Sequence, residues 1–207
     1  MYASHTGTKT TLAMFRASKW GVLFTPDTVG GSAQDYARFH SYAMDNGAWG
    51  AFAGKRAWPE DTFVAMAERH GSSADFVVVP DVVGDRDATL EQTRKWMAWC
   101  MDRVRVVLVA VQDGMTEADL PLLGERVGVF VGGSTDWKWK TAERWAQACA
   151  RAGAWCHVGR VNSAKRIASC VSIDATSCDG NSSVLFPCTH ARLEEARRYS
   201  ESQLRLV

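Results

Sequence analysis

Short apolar runs rich in β-branched residues alternate along the chain with longer stretches in which apolar residues recur at helical spacing. The clearest strand candidates are 76–81, 104–112 and 127–132, and the weaker ones are 21–25, 41–45, 154–159 and 172–178. Helical spacing predicts helices over 59–70, 86–102, 116–123, 137–152, 163–170 and 190–203. The chain therefore repeats a strand and a helix six or seven times.

This order predicts a parallel α/β fold, because continuous apolar strands suit a parallel sheet that is buried on both faces. Six or seven repeats favour a compact (β/α) barrel of the TIM type, formed as a single domain by residues 1–207. We expect an incomplete or irregular eighth unit, with its strand at 11–15 or 184–186. The alternative is an open Rossmann-like sheet, but no Gly-x-Gly-x-x-Gly follows the first strand candidate.

Composition adds few constraints to this picture. The 207 residues have a formal net charge of +1, so any site for a polyanion must be a local basic patch. Six cysteines occur without a Cys-x-x-Cys pair, which favours reduced thiols. The first twenty residues lack the apolar core of a signal peptide, and no apolar run approaches the roughly 18 residues of a membrane span, so we expect a cytoplasmic protein.

Polar residues stand at the ends of most of the strand candidates. They are Asp45, Asp81, Gln112, the pair Gly132 and Gly133, His157 with Gly159 and Arg160, and finally Asp174 and Asp179. Each has an ordinary explanation, since an Asp after a strand often caps the next helix and a lone His is more often a core residue than a ligand. In a parallel barrel, however, all the strand ends face one mouth, where active sites lie. Carboxylates, an amide and exposed glycine backbone suit the edge of a purine-like base, and a further carboxylate can attack a sugar carbon.

The order of these motifs resembles the tRNA-guanine transglycosylase superfamily over roughly residues 40 to 181. The motifs are Asp45-Asn46-Gly47-Ala48-Trp49, Asp81 in VVVPD, Val111-Gln112-Asp113-Gly114, Val131-Gly132-Gly133-Ser134, His157-Val158-Gly159-Arg160 and Ser177-Cys178-Asp179-Gly180. The DNGAW, HVGRVNS and SCDGN forms are most similar to the short phage enzymes of the DpdA type, which modify DNA.

The resemblance implies an enzyme that replaces guanine in DNA with a 7-deazaguanine such as 7-cyano-7-deazaguanine. Asp179 would be the nucleophile and would carry a covalent glycosyl intermediate, with Asp174 as its rival, and Asp45 would be the general acid and base. The residues expected to bind the free base are Asp81, Gln112, Gly132, Gly133 and His157. The reaction needs no cofactor and no metal.

Two departures from the family pattern bear on the substrate. After Asp179 the chain offers only Cys188 and His190, too few for the zinc site that the tRNA enzymes carry, so we predict no zinc. Gly50 also stands where the tRNA enzymes have a Gln. The missing zinc ligands favour DNA over tRNA. A tRNA-guanine transglycosylase and a non-catalytic base-binding relative remain as alternatives.

A DNA substrate requires contacts to phosphates around the mouth. The candidates are Arg160, Lys165, Arg166, Lys138 and Lys140. Trp137, Trp139 and Trp49 are candidates for stacking on bases, whereas Trp145 and Trp155 are expected in the core.

Overall fold

The computed structural model describes residues 1–6, 8–28 and 39–204, with side chains described up to residue 199. Eight parallel strands form a closed barrel in their order along the chain. The strands are β1 (Tyr2–Ser4), β2 (Gly21–Phe24), β3 (Tyr42–Met44), β4 (Val77–Val78), β5 (Val107–Val111), β6 (Val127–Val131), β7 (Cys156–Val158) and β8 (Ser177–Gly180). The prediction of a compact TIM-type barrel is confirmed, and the open Rossmann-like sheet is excluded.

Eight helices surround the barrel in the described residues. They are α1 (Lys9–Ala17), α2 (Ala48–Ala53), α3 (Glu60–His70), α4 (Arg86–Met101), α5 (Thr135–Ala152), α6 (Ala164–Ser172), α7 (Ser182–Leu185) and α8 (His190–Leu204). Three begin at a polar residue whose side chain accepts a hydrogen bond from the backbone of the first turn: Asp85 for α4, Ser134 for α5 and Ser163 for α6. None of these helices is long and apolar enough to cross a membrane.

The eighth strand is β1, so both sequence-based candidates for it were wrong. Residues 11–15 lie inside α1, and 184–186 lie at the end of α7. β1 pairs with β2 through Tyr2 and Gly21 and with β8 through Tyr2 and Asp179, which closes the ring. Its three residues immediately follow Met1, and so short a run carries no detectable period.

Two further predictions about secondary structure need correction. The helix expected over 116–123 is only a 3-10 turn at Glu117–Asp119, and Pro121 follows it directly. The strand expected over 172–178 starts later, because α6 continues to Ser172. Asp174 therefore lies in the turn that enters β8, at the opposite end of this strand from the cavity described below.

The alternation of side chains along the strands divides the core into two layers. In β2, Val22 and Phe24 pack outward against the helices, whereas Leu23 points into the barrel. The interior cluster consists of Tyr2, Leu23, Ala43, Phe76, Val78, Val106, Leu108 and Ala110, with Phe130 and Trp155 packed against it. These side chains fill the interior of the barrel, as in other barrels of eight strands.

Candidate functional site

A cavity of about 420 Å³ opens where the eight strands end. Each strand end contributes to its wall, from Ser4 on β1 to Asp179 on β8. Seven of the strand-end residues singled out from the sequence line it: Asp45, Asp81, Gln112, Gly132, Gly133, Arg160 and Asp179. Three of these are carboxylates that are far apart in the chain, and they share one partly enclosed volume with a fourth, Asp27. Parallel strands in a closed ring are expected to bring their ends together in this way.

Asp179 is held rigidly beside this cavity. The residue is 7% exposed, and its Oδ1 accepts hydrogen bonds from His157 Nε2 at 3.0 Å and from the backbone N–H of Arg160 at 3.3 Å. In the described part of the chain, both hydrogen bonds end on Oδ1 and none ends on Oδ2. The carboxylate is thus fixed through one oxygen, while the other has no hydrogen-bonding partner.

His157 does not contact the cavity, so its assignment as a base-binding residue is corrected. Its side chain is fully buried below Asp179, between the rings of Phe76 and Phe130 at 5.0 and 5.2 Å. Because side chains alternate along β7, His157 points into the barrel one layer beneath the mouth. Its place is behind Asp179, where it can orient that carboxylate and cannot reach a bound base.

A chain of hydrogen bonds sets the tautomer of His157. Trp155 Nε1 donates to Ser177 Oγ at 2.7 Å, and Ser177 Oγ lies 2.7 Å from His157 Nδ1. Because the carboxylate of Asp179 can only accept, the proton of the neutral imidazole lies on Nε2, facing Asp179, and Nδ1 is left to accept from the Ser177 hydroxyl. Burial lowers the pKa of His157, which favours the neutral ring that this arrangement requires.

Asp45 has an unusual acidity. Burial, followed by repulsion from Asp179 and Asp81, raises its pKa to about 7, against an opposing hydrogen bond from the backbone of Gly47. That hydrogen bond is 2.7 Å long and ends on Asp45 Oδ1. A carboxyl group with this pKa exchanges a proton near neutral pH, as a general acid and base must.

Asp81 is enclosed by two side-chain amides. Asn46 Nδ2 donates to its Oδ1 at 2.7 Å, and Gln112 Nε2 donates to its Oδ2 at 2.5 Å. Burial raises the pKa of Asp81, and these two hydrogen bonds oppose the rise. Each carboxylate oxygen of Asp81 keeps a lone pair that can accept a further hydrogen bond. Asp81 and the two amides therefore offer a ligand a row of hydrogen-bonding groups.

Two glycines permit close approach at the opposite wall. Gly133 has φ +71°, and a Cβ there would lie 2.7 Å from the ring of Trp137. A Cβ at Gly159 would lie 2.7 Å from the ring of Phe130, which lines the cavity and stacks on His157. A side chain at Gly133, which lines the cavity, would clash with Asp113 and Trp137, and one at Gly159 would press on the Phe130 ring, which forms part of the wall.

Lys138 was expected to contact phosphate, and this expectation is wrong. The side chain is 1% exposed, and its Nζ donates to the backbone oxygen of Gly159 at 2.5 Å. Burial, followed by repulsion from Arg160, lowers its pKa to about 8. The helical face of α5 turns Lys138 toward the barrel, a direction that a run of alternating Trp and Lys does not reveal.

The other predicted cations occupy different surfaces. Arg160 is in the cavity wall, where it donates to Gly133 O and lies 4.4 Å above the ring of Trp49. Lys165 and Arg166 line a separate cavity of about 580 Å³ between α5 and α6. Lys140 is exposed on α5. Only Arg160 among the five therefore adjoins the three carboxylates.

The tryptophans singled out for stacking also separate. Trp49 lines the cavity and is 49% exposed, whereas Trp137 and Trp139 are half-buried and pack against the core. Trp145 is fully buried, as expected, and Trp155 packs against the barrel interior.

Several residues of the site were missed in the sequence. Asn46 follows Asp45 directly and is 2% exposed, so a buried amide beside a strand-end carboxylate was an available signal. Ser177 and Asp179 are two residues apart on β8 and therefore share a face, which was a second signal. Nothing in the sequence indicated that Phe130, Asn162 or Asn181 would line the cavity.

Groups that hold metal ions were also sought. Within residues 1–6, 8–28 and 39–204, no three His, Cys, Asp or Glu side chains are placed to bind a metal together. Cys188 is exposed, whereas His190 is buried with its Nε2 2.8 Å from Ser18 Oγ. The six cysteines are all free thiols.

Comparison with known proteins supports the fold alone. No protein-family model and no curated protein matches the chain. Among solved structures, the chain is similar to one from the crystal structure of the Amycolatopsis orientalis BexX/CysO complex, with a TM-score of 0.56 and 12% identity. The match covers 96% of this chain and 88% of the other. At this identity the similarity shows that the two chains have the same architecture.

Proposed function

We propose that this protein is a base-exchanging transglycosylase that replaces guanine in DNA with a 7-deazaguanine such as 7-cyano-7-deazaguanine. The observation that supports it most directly is the convergence of Asp45, Asp81 and Asp179 in one cavity, in three different environments. Two carboxylates with divided roles suit displacement at a glycosidic carbon, and the third suits recognition of the base. The choice of DNA rests on the missing zinc ligands after Asp179 and on the resemblance to the short phage enzymes.

In this proposal the free base lies against Asp81. The carboxylate, held by Asn46 and Gln112, accepts hydrogen bonds from N–H groups of a guanine-like edge. The backbone at Gly132 and Gly133 lies in the facing wall, where a planar ring can approach closely. A volume of about 420 Å³ is ample for a purine-sized ligand and leaves room for its sugar.

The exchange proceeds in two displacements. Asp179 attacks C1′ of the target nucleotide, the bond to guanine breaks, and Asp45 gives its proton to the leaving base. The incoming base then returns a proton to Asp45, its ring nitrogen bonds to C1′, and the ester to Asp179 breaks. Each base leaves or enters neutral, and Asp45 ends as it began. A pKa of about 7 suits a group that must donate and then accept.

Labelled 7-cyano-7-deazaguanine tests this function directly. The protein is incubated with the label and either guanine-containing duplex DNA or tRNA, and each nucleic acid is then isolated and counted. We expect the DNA to carry label that denaturation does not remove. Label in tRNA alone would show that tRNA, and not DNA, is the substrate. Label in neither nucleic acid would favour a non-catalytic base-binding protein.

His157→Phe should lower kcat about 10- to 100-fold while leaving KM for the free base nearly unchanged. The new ring fits the aromatic surroundings of Phe76 and Phe130, but Asp179 Oδ1 loses a donor and its orientation. Steady-state kinetics and a melting curve measure both effects. His157→Gln, whose amide can donate, should recover part of the activity. Equal loss in the two variants with a lowered Tm would indicate a role in folding only.

A further inference from the structure

Helix α2 carries an exposed aromatic pair, Trp49 and Phe52. Trp49 is 49% exposed and Phe52 is 58% exposed, and their ring centroids lie 5.8 Å apart at an interplanar angle of 35°. All nine tryptophans lie in the described residues, and the eight others are buried or half-buried. Exposed aromatic rings held in contact on a short helix are costly in water and mark an interaction surface.

The aromatic pair stands at the mouth of the cavity and is fixed relative to the carboxylates. Trp49 is itself part of the cavity wall. The start of α2 is held by Asp45 Oδ1, which accepts from Gly47 N at 2.7 Å, and by Asn46 Oδ1, which accepts from Ala48 N at 2.8 Å. A ligand that reaches Asp45 therefore passes beside these rings.

The surroundings of the aromatic pair include basic side chains. The Arg160 guanidinium lies 4.4 Å above the Trp49 ring. Just past the end of α2, Lys55 is exposed and Arg56 is ion-paired with Asp27. Stacking rings flanked by cations suit nucleic acid, whose bases offer flat faces and whose phosphates are negative. A second protein with an apolar surface would match the rings but not the charges.

We propose that Trp49 and Phe52 form a wedge that enters the DNA stack when the target guanine leaves it for the cavity. The inference rests on the proposed function, because only a reaction inside the cavity requires the base to leave the duplex. Extruding a paired base costs its pairing and stacking free energy, and stacking on an aromatic side chain recovers part of that cost. The wedge thus offsets the cost of opening, and it is dispensable where the guanine is already unpaired.

The test compares paired and unpaired targets. Exchange is measured for the wild type and for Trp49→Ala/Phe52→Ala on a duplex and on the same sequence with the target guanine in an unpaired bubble. We expect the double variant to lose about 10- to 100-fold in kcat/KM on the duplex and less than about 3-fold on the bubble. Trp49→Phe should retain most duplex activity. Leu122→Ala, which removes a residue that is 93% exposed outside the cavity wall, is the matched control. Equal losses on both substrates would overturn the wedge.

A second measurement does not depend on turnover. A duplex with 2-aminopurine, paired with thymine, in the base pair next to the target guanine brightens when that guanine leaves the stack. We expect brightening on binding the wild type and none with the double variant at saturating protein. Brightening with both the wild type and the double variant would overturn the wedge. A double variant that binds DNA normally but changes from a dimer to a monomer would also overturn it, because Trp49 and Phe52 would then join two copies of the chain. If no substrate is labelled but only the wild type brightens DNA, the proposed exchange fails and the wedge stands.

Discussion

Asp179→Asn is expected to abolish base exchange, with a loss of at least about 10⁴-fold in kcat. The amide has almost the shape of the carboxylate, and its oxygen can still accept from His157 Nε2 and the Arg160 backbone. The uncharged oxygen, however, is too weak a nucleophile to open a glycosidic bond. Transfer of labelled base into DNA measures the loss, and an unchanged melting temperature shows that the barrel is intact.

Asp174→Asn is the matched control for this variant. Asp174 is the rival carboxylate in the sequence, but it is exposed in the turn that enters β8 and has φ +55°, a conformation that Asn also adopts readily. We expect full activity. If activity were lost in Asp174→Asn and kept in Asp179→Asn, Asp174 and not Asp179 would be the nucleophile. A protein–DNA adduct that survives denaturation without free base, present in the wild type and absent in Asp179→Asn, would identify the covalent step.

Asp45→Asn should lower kcat/KM for DNA about 10²- to 10⁴-fold, because the leaving guanine loses its proton donor. The pH profile distinguishes this role from a structural one. In the wild type the first displacement needs protonated Asp45, so the rate should fall as pH rises above about 7, the pKa set by burial and by Asp179 and Asp81. The residual rate of the variant should lack this fall. An unchanged alkaline limb would assign the titration to another group.

Stability measurements separate lost chemistry from lost folding in the same variant. The pKa of Asp45 is raised on folding from 3.8 to about 7, so the folded state binds more protons than the unfolded state between these values. Wild-type stability is therefore lost as pH rises through this window. Asp45→Asn should be more stable than the wild type by about 2–4 kcal/mol at pH 8 and by less at pH 5, as measured by urea unfolding. If Asp45→Asn were less stable than the wild type at pH 8, the pKa of Asp45 would not be raised by burial and by repulsion from its neighbours.

The positions of the carboxylates followed from the sequence because they depend on topology alone. Asp45 directly follows β3, Asp81 comes three residues after the end of β4, and Asp179 lies near the end of β8. All strand ends of a parallel barrel face the same side. Their different environments did not follow. The amides around Asp81 come from two other segments, and the repulsion that raises the pKa of Asp45 comes from two distant carboxylates.

His157 and Lys138 show what a sequence pattern cannot predict. Both were expected at the mouth of the barrel. Both are buried, His157 inside the barrel and Lys138 on the inward face of α5. The direction of a strand side chain reverses with each residue, so an error of one residue in the end of β7 moves His157 from the mouth to the interior. The same uncertainty in the start and rotation of α5 decides whether Lys138 meets solvent or the Gly159 carbonyl.

The sequence by itself determined the barrel class and the group of strand-end residues. The hydrophobic period and the order of strands along the chain can be read locally, and neither changes when a predicted element boundary is wrong by one or two residues. Only the tertiary structure decided that β1 closes the ring, that a chain from Trp155 through Ser177 and His157 orients Asp179, and that Trp49 and Phe52 stand exposed at the mouth. Each of these depends on register and packing between segments far apart in the chain, which no local pattern contains.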